Sequence, residues 1–202
     1  MEQPVLPSVG PVVQPAIHRP LRRRAHLHFS TTEIVSILIS MATIVLAFNM
    51  FGISDQGIIF GLVLGIIGHE LAHKFIAQSL GLESRYKLWE IGLVLVVAFA
   101  IITRGRFIFA APGFVVTDGT VDSRERGLIS LSAPTANIIL ALFFILAGGV
   151  WAMSAAYINI LLAIFNLLPV GPLDGAQVME WSPAVWTCSF VFACLLGMML
   201  VV

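Results

Sequence analysis

The chain has 202 residues, 58% of them hydrophobic and only 11% charged, with a mean hydropathy of +0.98. A soluble domain carries about 25% charged residues to face water, so lipid is the natural solvent for the excess apolar surface here. The formal net charge of +0 leaves no electrostatic footprint for nucleic acid, which is not expected as a partner.

The first stretch is proline-rich. Residues 1–29 hold Pro4, Pro7, Pro11, Pro15 and Pro20 and then a basic cluster, Arg19, Arg22, Arg23 and Arg24. A secretory signal would place its charges first and a small-residue cleavage site after an apolar run, so 1–29 reads as a cytoplasmic tail. His18, His26 and His28 within it read as solvated or headgroup-facing. Residues 30–202 form one transmembrane domain, set in a cell membrane as a multi-pass protein.

Ile34–Ile53 is nearly all apolar. At about 1.5 Å rise per residue it is long enough for roughly 30 Å of hydrocarbon. The arginines before it stay inside by the positive-inside bias, so this span runs outward. Ser54–Gly57 makes a short outer turn, and Ile58 to about Leu82 returns inward with its polar residues in the second half. Glu83, Arg85, Lys87 and Glu90 then read as a charged interfacial loop.

The apolar run Ile91–Ile102 is short for a span, and Arg104 and Arg106 follow it at once. Phe107–Val116, interrupted by Pro112 and Gly113, is too short to return as a helix. A re-entrant or β-hairpin element with both ends on the cytoplasmic side satisfies both facts. Non-helical backbone at that depth needs cover from protein or a water-filled cavity. Leu128–Met153 then runs outward, Ala155–Leu168 inward, and Ala184–Val202 supplies a last span. The expected fold is thus an all-α polytopic membrane protein of five to six transmembrane helices, with the hairpin between the second and third. Trp89, Trp151, Trp181 and Trp186 lie near the expected span ends, where indoles anchor. Cys188 and Cys194 share the last apolar stretch and read as small apolar residues, with no disulfide framework.

Within the second span, His69-Glu70-Leu71-Ala72-His73 is an H-E-x-x-H motif. Residues four apart are neighbours on one helix face, so both imidazoles can reach one zinc ion, and Glu70 stands beside it to take a proton from water. Three ionisable side chains in a span each cost at least about 2.5 kcal/mol at mid-helix depth. The bland alternative, a polar patch at a helix end snorkelling with Lys74, leaves the spacing and the glutamate unexplained.

A catalytic zinc takes three protein ligands and keeps one position open. Ile76 and Ser79 stand where the longer H-E-x-x-H-x-x-G-x-x-H pattern needs glycine and histidine. Asp174 is the better third candidate. It ends Asn166-Leu167-Leu168-Pro169-Val170-Gly171-Pro172-Leu173-Asp174-Gly175, where an inward span breaks on the same side as His73. A helix N-cap before Gly175–Trp181 is the structural alternative for it.

His69–His73 together with Asn166–Gly175 resembles the site-2 protease family of intramembrane zinc metalloproteases, over roughly residues 34–180. That family pairs an H-E-x-x-H helix with a later Asn-x-x-Pro…Asp-Gly motif. The resemblance implies Asp174 as third ligand of one Zn2+ per chain, alongside His69 and His73, with Glu70 catalytic. Ala133-Pro134-Thr135-Ala136-Asn137 matches a third family element, with alanine at 133 where glycine is usual. Asn137 and Asn166 are then candidates to hold the substrate backbone or a developing oxyanion, or simply to bond between helices. The likeness is to archaeal members without PDZ or CBS domains. It implies a membrane-protein substrate, cut in or next to a transmembrane helix, with the active site towards the cytoplasm. A metal transporter or sensor using the same ligands is the alternative. Such a protein needs no glutamate beside His69, and no repeated half with a broken helix is present.

Overall fold

The computed structural model describes residues 28–50, 55–104 and 112–201. Residues 1–27, 51–54 and 105–111 lie outside them, and with them most of the expected tail, the end of the expected Ile34–Ile53 span and part of the expected hairpin.

Among the described residues, seven helices and two strands follow in order. They are α1 (Thr31–Met50), α2 (Gln56–Ser79), β1 (Glu83–Leu88), α3 (Glu90–Thr103), β2 (Gly113–Asp118), α4 (Ser123–Ala147), α5 (Val150–Asn166), α6 (Asp174–Trp181) and α7 (Pro183–Val201). Four of them, α1, α2, α4 and α7, are long and apolar enough to cross a membrane, which makes this a multi-pass membrane protein. The apolar helices α3, with 14 residues, and α5, with 17, are shorter. At about 1.5 Å per residue they reach roughly 21 and 26 Å.

Local chemistry sets the helix starts. Ser30 and Glu33 bond reciprocally at the head of α1, and Asp122 and Glu125 do the same for α4; both are capping boxes. Asp55 caps α2 by accepting from the Gly57 and Ile58 amides. It also accepts from Ser154 at 2.8 Å. That hydroxyl, with the two amides behind it, lowers its pKa against the opposing effect of burial.

Two clusters make the core. Ile138, Ala141 and Phe144 of α4 pack on Ala152, Ala155 and Ile160 of α5 and on Ala193 and Leu196 of α7. Met41 and Ile44 of α1, Leu62 and Ile66 of α2 and Val96 and Ala100 of α3 form the other, with Leu162 of α5. Between the clusters, α2 and α5 approach backbone to backbone. A Cβ on Gly61 would meet the Ala155 Cα at 2.5 Å, so the Gly57, Gly61, Gly65 stripe acts as a small-residue seam between membrane helices.

The structure departs from the sequence expectations in three places. The Glu83–Glu90 segment is not a loop: β1 occupies most of it and pairs antiparallel with β2, Tyr86 opposite Val115. Its side chains alternate, Ser84 and Tyr86 buried, Glu83, Arg85 and Lys87 exposed, the period-2 pattern of a strand. The break between α4 and α5 falls at Gly148 and Gly149, with φ of 70° and 86°, and not between Met153 and Ala155. Only glycine takes such angles without strain, and that outranks the unbroken apolarity of the stretch. Lastly, the Ile91–Ile102 run is a helix between the two strands, so the hairpin element carries α3 inside it.

Candidate metal centre

The H-E-x-x-H turn sits in the second half of α2, where α4, α5 and α6 converge. His69 and His73 face one way, their ring centroids 4.9 Å apart and their planes at 90°. Each ring is held from behind. His69 Nδ1 lies 2.9 Å from Asn137 Oδ1, and His73 Nδ1 lies 2.9 Å from the Ile129 carbonyl. Both partners are acceptors, which assigns the Nδ1–H tautomer to each ring and leaves Nε2 with its lone pair free.

Ile129 and Asn137 both belong to α4, on either side of Pro134. Proline has no N–H for the Ser130 carbonyl one turn back. In the adjoining turn, side-chain donors from His73 and Ser132 both reach the Ile129 carbonyl.

Asp174 closes the site from α6. It is the first residue of that helix, with Leu173 in the N-cap position, so the capping alternative does not hold. Its oxygens lie 3.3 Å from His69 Nε2 and 3.3 Å from His73 Nε2. A Cβ on Gly175 would run into the Leu167 backbone; this glycine lets the turn after α5 fold tightly enough to deliver Asp174. Trp186 of α7 braces that turn by donating to the Leu167 carbonyl at 2.7 Å. Metal ligation would take the Asp174 carboxyl in its ionised form.

The three groups suit a small cation. Their ligand atoms all lie within 4.8 Å of one another, and a tetrahedron with bonds of about 2.0–2.1 Å has corners roughly 3.3 Å apart. With both Nδ1 protons committed elsewhere, two nitrogen lone pairs and a carboxylate point at one another. Their mutual repulsion is relieved by a cation between them. The His69, His73 and Asp174 set can therefore hold one metal ion, and its two imidazoles and one carboxylate are a zinc donor set.

Glu70 lines the same cavity, of about 870 Å³. Its Oε2 is buried with no hydrogen-bond partner among the described residues. The cavity also takes in Gly113, Phe114, Val115 and Thr117 of β2 and Asn166 at the end of α5. Trp89 donates its amide to the Pro112 carbonyl at 2.9 Å, in register with the β1–β2 ladder. Hydrogen-bonded and non-hydrogen-bonded pairs alternate along such a ladder, so Tyr86–Val115 and Ser84–Thr117 are non-bonded pairs. Gly113, Val115 and Thr117 thus turn their N–H and C=O groups to the outer side of β2, where no third strand pairs with them among the described residues.

The two asparagines expected at the site part company. Asn137 is fully buried, and both its amide protons are spent, one on the Gly65 carbonyl at 2.9 Å and one on Asn159 Oδ1 at 3.2 Å. It has none left for a substrate; its oxygen orients His69 instead. Asn166 lines the cavity and gives one proton to the Leu162 carbonyl, which leaves its second for a ligand. Sequence reading missed Asn159, wholly buried in α5, which donates to the Gly61 and Ala155 carbonyls. The available signal was a lone amide in an apolar helix.

A protein of Methanocaldococcus jannaschii named "Putative zinc metalloprotease MJ0611" is 35% identical over 171 residues, 78% of this chain and 88% of the relative. The chain belongs to the zinc metalloprotease family of that archaeal protein. Its metal site thereby acquires a family context: a membrane protein in which His69, His73 and Asp174 converge. No protein-family model matches the chain, and no solved structure does.

Proposed function

We propose that this protein is an intramembrane zinc metalloprotease of the site-2 type, hydrolysing a peptide bond in or next to a transmembrane segment of a membrane-protein substrate. The observation that carries the reading is the joint placement of His69, His73 and Asp174 with the unpartnered Glu70 carboxylate on one cavity wall. A transporter has use for the three ligands but none for the fourth group.

His69, His73 and Asp174 would hold the ion, and Asn137 and the Ile129 carbonyl keep the two rings aimed, as the outer partners of metal-binding imidazoles do. Zinc there supplies Lewis-acid chemistry, lowering the pKa of a water to about 7 and polarising the scissile carbonyl. Glu70 takes the proton of the attacking water at its free oxygen and hands it to the leaving amine. The remaining Asn166 proton is available to the substrate's carbonyl oxygen as negative charge develops there.

A helical substrate has its carbonyls tied up and must be locally unwound. The outer edge of β2, through Gly113, Val115 and Thr117, can then pair with the extended segment and lay it along the cavity. The full topology under this reading has five spans, α1, α2, α4, α5 and α7, or six where α3 also crosses. Under this reading the N-terminal tail, with Arg19, Arg22, Arg23 and Arg24, and the metal centre lie on the cytoplasmic side by the positive-inside bias, which Arg124 and Arg126 follow as well.

The test is hydrolysis of a panel of single-span membrane proteins by the purified zinc-loaded chain. Wild type cleaves at least one of them, and Glu70→Gln keeps its zinc while losing at least about a hundredfold in rate. Equal cleavage by both, or none by either, refutes the reading.

A further inference from the structure

Lys74 directly follows His73, yet it points away from the metal site and is only 1% exposed. Its ammonium pairs with Glu33 of α1, which is 3% exposed, and lies 4.3 Å from the centre of the Phe29 ring. The same carboxylate oxygen accepts the Tyr86 amide of β1 at 2.9 Å. The other accepts the Ser30 amide at 2.9 Å. Two further bonds tie β1 to the same corner: Ser84 Oγ to the Lys74 carbonyl at 3.4 Å, and Tyr86 Oη to Ser40 Oγ at 2.9 Å.

Such a pair is a poor way to gain stability. Replacing a buried ion pair with apolar side chains of similar volume is often neutral or stabilising. What the carboxylate offers that an apolar contact does not is direction. Apolar surfaces slide over one another, whereas Glu33 is fixed by its own capping box and has both oxygens engaged. The Tyr86 amide it takes belongs to a non-hydrogen-bonded pair, so Glu33 occupies the outer edge of β1. The opposite edge of the sheet is the one on the cavity. The ladder is short, 6 residues in each strand, and cannot fix its own height against the helices.

We propose that Glu33 and Lys74 are positioning residues that clamp β1 to the turn carrying His73, and so set which substrate bond the free edge of β2 brings to the metal centre. The proposal rests on the protease reading above. The clamp acts through the sheet, so its loss moves the cut rather than the metal. In Glu33→Leu/Lys74→Met the protein folds and keeps one zinc per chain. On a membrane-spanning reporter, the cleavage products, read by mass spectrometry, spread from one main bond to neighbouring bonds. KM for the reporter rises at least about tenfold, beyond the fall in kcat. A residue that only stabilised the fold would lower the folded fraction and leave both the cut position and KM unchanged.

Glu33→Asp guards against a double variant that does not fold. It keeps the charge for Lys74 but is one methylene too short to hold Lys74 and the Tyr86 amide together, so it too shifts the main cut. An unchanged single cut and a KM within twofold of wild type, in either folded and zinc-loaded variant, overturns the clamp. If the wild type cleaves no reporter, the protease reading fails and the clamp falls with it. Cleavage by wild type with an unshifted pattern in the variants removes the clamp alone.

Discussion

Two buried polar clusters flank the H-E-x-x-H turn, and they are built from different chemistry. On one side stands a neutral amide chain, from His69 through Asn137 and Asn159 to the Gly61 carbonyl. On the other stands a full ion pair, Glu33 and Lys74. Neutral amides orient the imidazoles without placing a formal charge beside a cation site, where it would change the affinity for the metal. The ion pair sits on the far side of the helix, and there it holds a small sheet that has little core of its own. Charge is used where an element must be kept in place, and dipoles where a ligand must be kept in aim.

The comparison breaks most visibly at the charged cluster. Lys74→Met alone leaves Glu33 buried without its cation and should cost about 3–5 kcal/mol, read as a loss of thermal stability in detergent. The Glu33→Leu/Lys74→Met double variant should recover most of that loss, because neither charge is then stranded. A double variant as unstable as the single one would mean that the pair is a stability device after all.

The neutral cluster should respond in a different observable. Asn137→Ala removes the acceptor that fixes His69 and should weaken zinc binding about 10–100-fold, measured by competition with a chelator. Its effect on stability should be the smaller of the two, about 1–3 kcal/mol for the groups left unpaired. Unaltered zinc affinity in that variant would show that the ring is aimed by packing and not by the amide.

The two clusters also differ in how legible they were. His69, Glu70 and His73 are legible because a helix makes residues four apart neighbours, and the pairing with Asp174 follows from motif resemblance. Asn137 was visible as a polar residue in a span, but not its direction. Whether an amide faces a substrate or a histidine depends on which helix lies behind it. The Glu33–Lys74 pair joins residues 41 positions apart, and no local pattern reports such a contact. Strand β1 was hidden by its own charges: Glu83, Arg85 and Lys87 look like a solvated loop until the alternation with Ser84 and Tyr86 is noticed. The α4–α5 break was hidden by the reverse effect, apolar residues on both sides of two glycines.

X-ray absorption at the zinc edge of the purified chain tests the central claim most directly. The account predicts one zinc per chain whose protein neighbours are two imidazole nitrogens and one carboxylate oxygen at about 2.0–2.2 Å, with the oxygen contribution altered in Asp174→Ala. A chain that binds no zinc, a sulfur neighbour at about 2.3 Å from Cys188 or Cys194, or a spectrum that Asp174→Ala leaves unchanged would contradict it.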